Sequence, residues 1–188
     1  MSNTDNAIKT PLTLPKKGEM ICFGEPQYNQ IMQQLIQEAK ALDELRLGDW
    51  LNLLDDDIFY HMPLRRTLMR DGGSQFDTST NWYHENKASL EFKVRRIEAG
   101  SAWAEDPATR VRRLISNLTL YKSAEPDTYY AESYLLVTRS RGEETSPDVI
   151  SARRDDVVKL NADGFKILQR SIFLDQTVLG IPSLAFFL

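Results

Sequence analysis

The sequence predicts an α+β fold in which helices pack on one face of an antiparallel sheet. Two observations support this prediction. The first half of the 188-residue chain contains amphipathic helix patterns, and the second half contains four stretches of alternating apolar and polar residues separated by short turn clusters. Helices followed by a run of strands are typical of α+β domains. Because a long sheet that curves around its helices forms a cone, we expect the architecture called cystatin-like or NTF2-like.

Three helices are predicted in the first half. The first covers residues 28–45, where apolar residues recur at the i, i+3, i+4 spacing of one helix face. Pro26 precedes it, at a place where the start of a helix tolerates proline. A short second helix fits residues 47–54, and a third fits residues 81–98 behind candidate N-cap residues at 78–80. The apolar stripe of the first helix consists of Tyr28, Ile31, Met32, Leu35, Ile36, Ala39 and Leu42.

Extended segments dominate the second half. The turn Asn-Ala-Asp-Gly at 161–164 predicts a tight hairpin between the last two of them. An earlier segment, residues 58–69, also looks extended, but Pro63 restricts a strand there to an edge or a bulge. The four alternating stretches cover residues 110–122, 128–140, 148–160 and 165–175.

The domain organisation follows from composition. Residues 1–25 are polar and contain prolines and glycines, which predicts an extended N-terminal arm. Residues 26–188 then form a single NTF2-like domain. The net charge of −4 offers no basic surface to nucleic acid, and a single cysteine allows no disulfide within the chain. With neither a signal-peptide pattern nor an apolar run of about 18 residues that would span a membrane, we expect a cytoplasmic protein.

Residues that could hold a metal are scarce. The chain has two histidines, His61 and His84, and one cysteine, Cys22. A Rieske cluster requires two cysteines and two histidines, which this composition cannot supply. The two histidines fall on different predicted elements, so the sequence gives no support for a mononuclear iron site either. Nucleophile elbows and phosphate-binding loops are also missing from the sequence, so we predict no catalytic, cofactor-binding or metal-binding residue in this chain.

Two features suggest contact with another subunit. Four consecutive charges interrupt the stretch 148–160, and strand alternation places one arginine and one aspartate on each face. Polar surroundings for such a face are solvent with internal ion pairs, the interior of the cone, or another subunit. The segment 182–188 is apolar and must dock on its own core or on a neighbour. The residues that we predict at a subunit interface are Arg153, Arg154, Asp155, Asp156, Leu184, Phe186, Phe187 and Leu188.

Segments within residues 28–188 resemble the β (small) subunits of aromatic-ring-hydroxylating dioxygenases, which are Rieske non-haem iron oxygenases. No single segment is diagnostic, but their order and spacing together are specific. The segments are EAKALD at 38–43, WLNLLD at 50–55, IFYHMPL at 58–64, WAEDPATR at 103–110, RLISN at 113–117, ARRDDV at 152–157, QRSIFLD at 169–175 and LAFFL at 184–188.

The resemblance implies an NTF2-like cone and a supporting, non-catalytic role. It implies self-association as a trimer within a hexamer of three α and three β subunits. In that family the α subunit carries the Rieske [2Fe-2S] cluster and the mononuclear iron. Electrons reach it from a reductase and a ferredoxin, and the complex converts an arene to a cis-dihydrodiol. The resemblance carries no catalytic residue onto this chain, and it does not identify the aromatic substrate.

Two other functions remain open at the level of the sequence. One is a stand-alone NTF2-like enzyme of the dehydratase or isomerase type, in which Tyr60 or His61 would act with an aspartate inside the cone. A deep pocket with a buried, converging histidine and aspartate would favour it. The other is a small-molecule binding module without catalysis.

Overall fold

The fold is seen in a computed structural model that describes residues 16–67, 74–99, 109–143, 145–162, 164–180 and 186–188. Within these ranges the chain forms three helices and seven strands. The elements in chain order are β1 (Met20–Ile21), α1 (Pro26–Asp43), α2 (Leu47–Leu53), β2 (Leu54–Arg65), β3 (Phe76–Glu85), α3 (Lys87–Glu98), β4 (Arg110–Lys122), β5 (Thr128–Ser140), β6 (Asp148–Asn161) and β7 (Gly164–Leu174).

The described strands form one sheet with the order β1-β4-β5-β6-β7-β2-β3. Neighbouring strands are antiparallel, except that β2 and β7 run parallel. Helix α1 packs against β4, and α3 packs against α2 and β2. One face of the sheet therefore encloses the helices and the apolar core, and we call it the inner face; the opposite side is the outer face.

The amphipathic pattern of the first helix is confirmed. Pro26 opens α1, and the helix buries Ile31, Leu35 and Leu42 against the sheet while its glutamines face away. The helix ends at Asp43, and Leu45 adopts a positive φ of 56° in the connection to α2. The two helices are thus joined by a tight turn that places Trp50 of α2 in the core, fully buried.

The prediction of one helix over residues 81–98 is wrong. Strand β3 continues to Glu85, and α3 begins at Lys87. The boundary is set by Asn86, whose extended backbone and side chain close a capping box: its side chain accepts from Ser89 N, and its own N–H donates to Ser89 Oγ, each at 3.0 Å. Tyr83, at helical spacing from Lys87, instead pairs with Met62 across the sheet.

The prediction that Pro63 restricts its strand to an edge or a bulge is confirmed by a bulge. The register between β2 and β3 shifts on both sides of Pro63. Strand β2 is not at the edge, because it lies between β3 and β7. Proline is tolerated at this interior position because the bulge removes the need for its missing N–H.

The four long strands of the second half are confirmed to within one residue at each end. Part of the predicted arm is paired with the sheet, since β1 lies antiparallel to β4 and Gly18 N donates to Lys122 O at 2.9 Å. A Cβ at Gly18 would approach that oxygen to 2.7 Å, so this contact requires glycine. Residues 1–15 of the arm lie outside the described residues. No helix in the described part of the chain is long and apolar enough to cross a membrane.

Candidate functional site

The interior of the cone contains a cluster of four charged side chains. Glu38 comes from α1, Arg154 and Asp156 come from β6, and Arg170 comes from β7; each is at most 1% exposed. Arg154 and Asp156 are two residues apart on a strand, so both point to the inner face. Arg170 lies directly opposite Asp156 in the register of β6 and β7. With two carboxylates and two guanidinium groups, the cluster is neutral as a whole.

Arg170 binds both carboxylates. Its Nε and Nη2 atoms donate to the two oxygens of Asp156, each at 2.9 Å. Nη2 also donates to Glu38 Oε2 at 2.9 Å, and Nη1 donates to Glu38 Oε1. Trp50 Nε1 donates to the same Oε1 at 3.1 Å. Burial alone would raise the pKa of Glu38, but the charges of Arg170 and Arg154 outweigh it and hold that pKa below its usual value.

Arg154 lies farther than Arg170 from the carboxylates of Glu38 and Asp156. Its Nη1 lies 3.6 Å from Glu38 Oε2 and its Nη2 lies 3.9 Å from Asp156 Oδ2, distances that give charge attraction without a hydrogen bond. The buried Nε and Nη2 atoms have no hydrogen-bond partner among the described residues. Burial, and then the like charge of Arg170, lowers the pKa of Arg154. The guanidinium group therefore keeps unused donors inside the cone.

Residues 186–188 enter the same interior. Tyr60 Oη donates to the main-chain oxygen of Leu188 at 2.7 Å and accepts from Leu188 N at 3.1 Å. Arg113 donates to the Phe187 oxygen from Nε at 3.2 Å and from Nη2 at 2.7 Å, while its Nη1 binds Asp43 at 2.5 Å. The ring of Phe187 stacks on Trp50 with centroids 4.2 Å apart. The chain's own residues thus occupy the space beside the charged cluster.

This interior does not suit acid–base catalysis. Burial raises the pKa of Tyr60 to about 12, and its hydroxyl is already engaged with Leu188. The two oxygens of the Asp156 carboxylate accept hydrogen bonds from two nitrogens of Arg170, so neither oxygen is left free to act as a base. His61 lies next to Tyr60 on β2 and therefore points to the outer face. The histidine and aspartate that a stand-alone enzyme would need do not converge.

The two histidines meet on the outer face. His61 and His84 are paired across β2 and β3, with ring centroids 6.0 Å apart, and His61 Nε2 lies 2.7 Å from Asn81 Oδ1. Burial lowers the pKa of His61, and the Asn81 hydrogen bond opposes that shift. Within the ranges that the structure describes, no group of three or more His, Cys, Asp or Glu side chains could hold a metal. The sequence places His84 in a helix and so does not predict this pairing.

The outer face carries an exposed apolar strip, which consists of Leu114, Tyr134, Leu136 and Val149. These residues belong to β4, β5 and β6, and they are between 38% and 54% exposed. Leu114 and Leu136 are cross-strand partners. Their neighbours Leu135 and Val137 are buried on the inner face, as strand alternation requires. The outer strip is therefore a second apolar surface of the sheet.

A groove of about 490 Å³ borders the outer strip and includes Tyr134 and Leu136 in its wall. Its other side is formed by two stacked arginine–phenylalanine pairs. The guanidinium carbon of Arg153 lies 4.7 Å from the ring centre of Phe173, and that of Arg65 lies 4.7 Å from the ring centre of Phe76. The groove thus combines aromatic rings with cationic groups, which is the composition of many protein interfaces.

Comparison with known proteins gives the family. Residues 37–180 match the family described as "Ring hydroxylating beta subunit". The chain belongs to this family. It is 37% identical over 163 residues to the β subunit of 3-phenylpropionate/cinnamic acid dioxygenase from Photorhabdus laumondii, covering 83% of this chain and 88% of that protein. It is 31% identical to the β subunit of biphenyl 2,3-dioxygenase from Rhodococcus jostii, covering 85% of this chain and 87% of that protein.

A solved structure supports the fold of this ring-hydroxylating β subunit. A chain of naphthalene 1,2-dioxygenase superposes with a TM-score of 0.77 at 23% identity, covering 89% of this chain and 88% of that one. The resemblance to β subunits and the NTF2-like cone, both predicted from the sequence, are confirmed. Membership of the family implies an α subunit as partner.

The predicted interface residues of this β subunit fall into two groups. The side chains of Arg154, Asp156, Phe187 and Leu188 are buried inside the cone, so they support an interface only from beneath the surface. On the outer face, Arg153 is half-exposed and Asp155 is its buried ion-pair partner, with Nε and Oδ1 3.0 Å apart. Phe186 is half-buried, and Leu184 lies outside the described residues. A single chain does not test where subunits meet, so the interface stays a prediction.

Proposed function

We propose that this chain is a non-catalytic subunit that supports the assembly of an aromatic-ring dioxygenase, in a hexamer of three α and three β subunits. The observation that carries the proposal is the filled interior of the cone. The carboxylates of Glu38 and Asp156 are bound by Arg170, and the hydroxyl of Tyr60 binds Leu188. Chemistry within the complex is therefore assigned to the partner.

The cofactors and the electron supply belong to that partner in this proposal. The α subunit holds the Rieske [2Fe-2S] cluster and the mononuclear iron, and it receives electrons from a ferredoxin and a reductase. We also propose a cytoplasmic location for the complex. The arene is not specified, because relatives are named for phenylpropionate or cinnamic acid, biphenyl and naphthalene.

We further propose that the outer strip and the adjoining Arg153 meet a neighbouring subunit of the hexamer. Four large side chains exposed side by side cost free energy in water, and contact with another subunit would recover it. The arginine–phenylalanine pairs beside the strip offer cations for acidic groups of that neighbour. Residues 1–25 are proposed as an arm, and residues 26–188 as the single domain that carries this surface.

Co-expression with the α subunit tests the proposed supporting role in a hexamer. This chain is produced together with its α subunit, the α subunit carries the affinity tag, and the complex is sized by light scattering. We expect a hexamer that, when a ferredoxin and a reductase supply its electrons, converts an aromatic substrate and dioxygen to a cis-dihydrodiol. Recovery of an active α subunit with no bound β chain would overturn the supporting role.

A matched pair of variants tests the surface. Leu136→Asp places a charge in the outer strip, and Phe92→Asp places one on α3 at a residue that is even more exposed, 57% against 38%. We expect Leu136→Asp to lower the yield of hexamer at least tenfold and Phe92→Asp to leave it unchanged. Equal yields from both variants would show that the outer strip is not an interface.

A further inference from the structure

Residues 186–188 contact the cone interior in the way that a bound ligand contacts its site. Three buried side chains from three different strands direct donors at their main chain: Tyr60 from β2, Arg113 from β4 and Arg170 from β7. The hydroxyl of Tyr60 lies 2.7 Å from the Leu188 oxygen, and Arg113 Nη2 lies 2.7 Å from the Phe187 oxygen. Arg170 Nη1 lies 3.5 Å from the Leu188 oxygen. Donors that converge from separate strands on two consecutive main-chain oxygens form a site for an acceptor-bearing group.

The apolar side of the site is equally defined. Trp50 stacks on Phe187 at 4.2 Å and meets Tyr60 edge to face at 6.4 Å. Phe187 is 3% exposed and Leu188 is 0% exposed, although neither residue belongs to a strand of the sheet. An aromatic wall next to converging donors is the combination that binds an aromatic ring attached to a carbonyl or carboxylate group.

The guanidinium group of Arg154 provides an independent observation. It is 1% exposed, and its Nε and Nη2 atoms lack hydrogen-bond partners among the described residues. Its Nη1 atom lies 3.6 Å from Glu38 Oε2, the same oxygen that Arg170 binds, so the group lies beside the cluster that residues 186–188 contact. Buried donors without partners are rare in a core that serves packing alone, and they are common where a polar group is meant to be received.

We infer that the cone interior is a binding site for an apolar peptide with acceptor oxygens, and that its occupant is the chain's own segment 186–188. The segment acts as a built-in ligand that holds β2, β4 and β7 together through Tyr60, Arg113 and Arg170. A chain that lacks the segment presents an open site, and it binds a free peptide of the same sequence. This inference concerns the interior of one chain and does not depend on the proposed assembly.

The experiment supplies the segment as a separate molecule. A chain ending at residue 184 is mixed with the peptide Ala-Phe-Phe-Leu, the sequence of residues 185–188. We expect one peptide to bind per chain in titration calorimetry and to restore most of the lost melting temperature. The control peptide Ala-Ala-Ala-Leu lacks the ring that stacks on Trp50 and the ring that lies against Arg113, and it should bind at least tenfold more weakly. The full-length chain should bind neither peptide.

Two results would overturn the inference. One is a shortened chain that melts cooperatively and binds no peptide. The other is a full-length chain that binds the peptide as well as the shortened chain does, which would place binding elsewhere.

If the shortened chain does not fold, the full-length variant Phe187→Ala provides the test of the interior binding site. It leaves a ring-sized space against Trp50, and toluene should raise its melting temperature by about 2 °C or more. The matched variant Phe92→Ala, at an exposed position, should show no shift. Absence of a shift in Phe187→Ala would likewise overturn the inference.

Discussion

Replacement of Arg170 by methionine should be the most damaging single substitution in the charged cluster. Arg170 is fully buried and makes hydrogen bonds to both oxygens of Asp156 and both oxygens of Glu38. Methionine has similar bulk and flexibility, so the variant Arg170→Met removes the charge without leaving a large cavity. Two buried carboxylates would then lose their principal partner.

The loss of stability expected for Arg170→Met depends on the groups that still contact Glu38 and Asp156. Removing one partner of a buried ion pair destabilises a protein by about 3–5 kcal/mol. Two groups lessen the loss here: Arg154 lies 3.6 Å from Glu38 and 3.9 Å from Asp156 with unused donors, and Trp50 still donates to Glu38. We therefore expect the lower part of that range, about 3 kcal/mol at pH 7. A domain of typical stability, roughly 5–15 kcal/mol, would survive this loss.

The pH dependence provides the sharper test. In the native chain the pKa of Glu38 is lowered, so its stabilising contribution is present above the unfolded value and is lost as the pH falls through the native value. In Arg170→Met, burial without the arginine should raise the pKa of Glu38 above its unfolded value. The variant should then be most stable in acid and should lose stability as the pH rises.

Urea unfolding of both chains between pH 4.5 and 8 measures this difference. The control is Arg46→Met, whose side chain is 42% exposed and pairs, among the described residues, only with Glu44 and Asp49, which are 47% and 61% exposed. It should leave the urea midpoint nearly unchanged and keep the native pH profile. If Arg170→Met lost less than about 1 kcal/mol at pH 7, or followed the native pH profile, the account of the cluster would be refuted.

Three further predictions concern single contacts. Asn86→Ala removes the capping box of α3 and should lower the free energy of unfolding by about 1 kcal/mol, measured by urea denaturation, whereas Asn86→Asp should retain most of it. Tyr60→Phe removes the hydrogen bonds to Leu188 and should cost about 1–3 kcal/mol in the same assay, because polar main-chain atoms are left buried. The pKa of His61 is lowered by burial, so the native chain should lose stability as the pH falls through about 6.5, and thermal melts of His61→Gln between pH 5 and 8 should show a flatter profile.

The sequence predicts those parts of the fold in which local pattern and tertiary environment agree. Strands β4 to β7 alternate clearly and are bounded by turn residues, and α1 has an unbroken apolar stripe. The third helix is mispredicted at its start, because residues 81–85 fit a helical stripe as well as a strand. Only pairing with β2 decides between them, and such pairing cannot be read from local sequence.

The interior cluster illustrates a different limit. Alternation correctly places Arg154 and Asp156 on one face of β6, and a polar cone interior is among the surroundings that the sequence allows. Glu38 and Arg170, however, look like ordinary charged residues of a helix and a strand. They are brought together across 132 residues of chain, and nothing local distinguishes them from solvent-exposed residues.

The contact between Tyr60 and Leu188 can form only after both residues have been synthesised. The two residues are separated by 128 positions, and ribosomes add about 5–20 residues per second, so roughly 6–26 s pass between their synthesis. During that interval Trp50 lacks its contact with Phe187, and Tyr60 lacks its contact with Leu188. Their rings are then available to other apolar surfaces. A nascent chain of this protein is thus expected to bind chaperones until residues 186–188 have been synthesised.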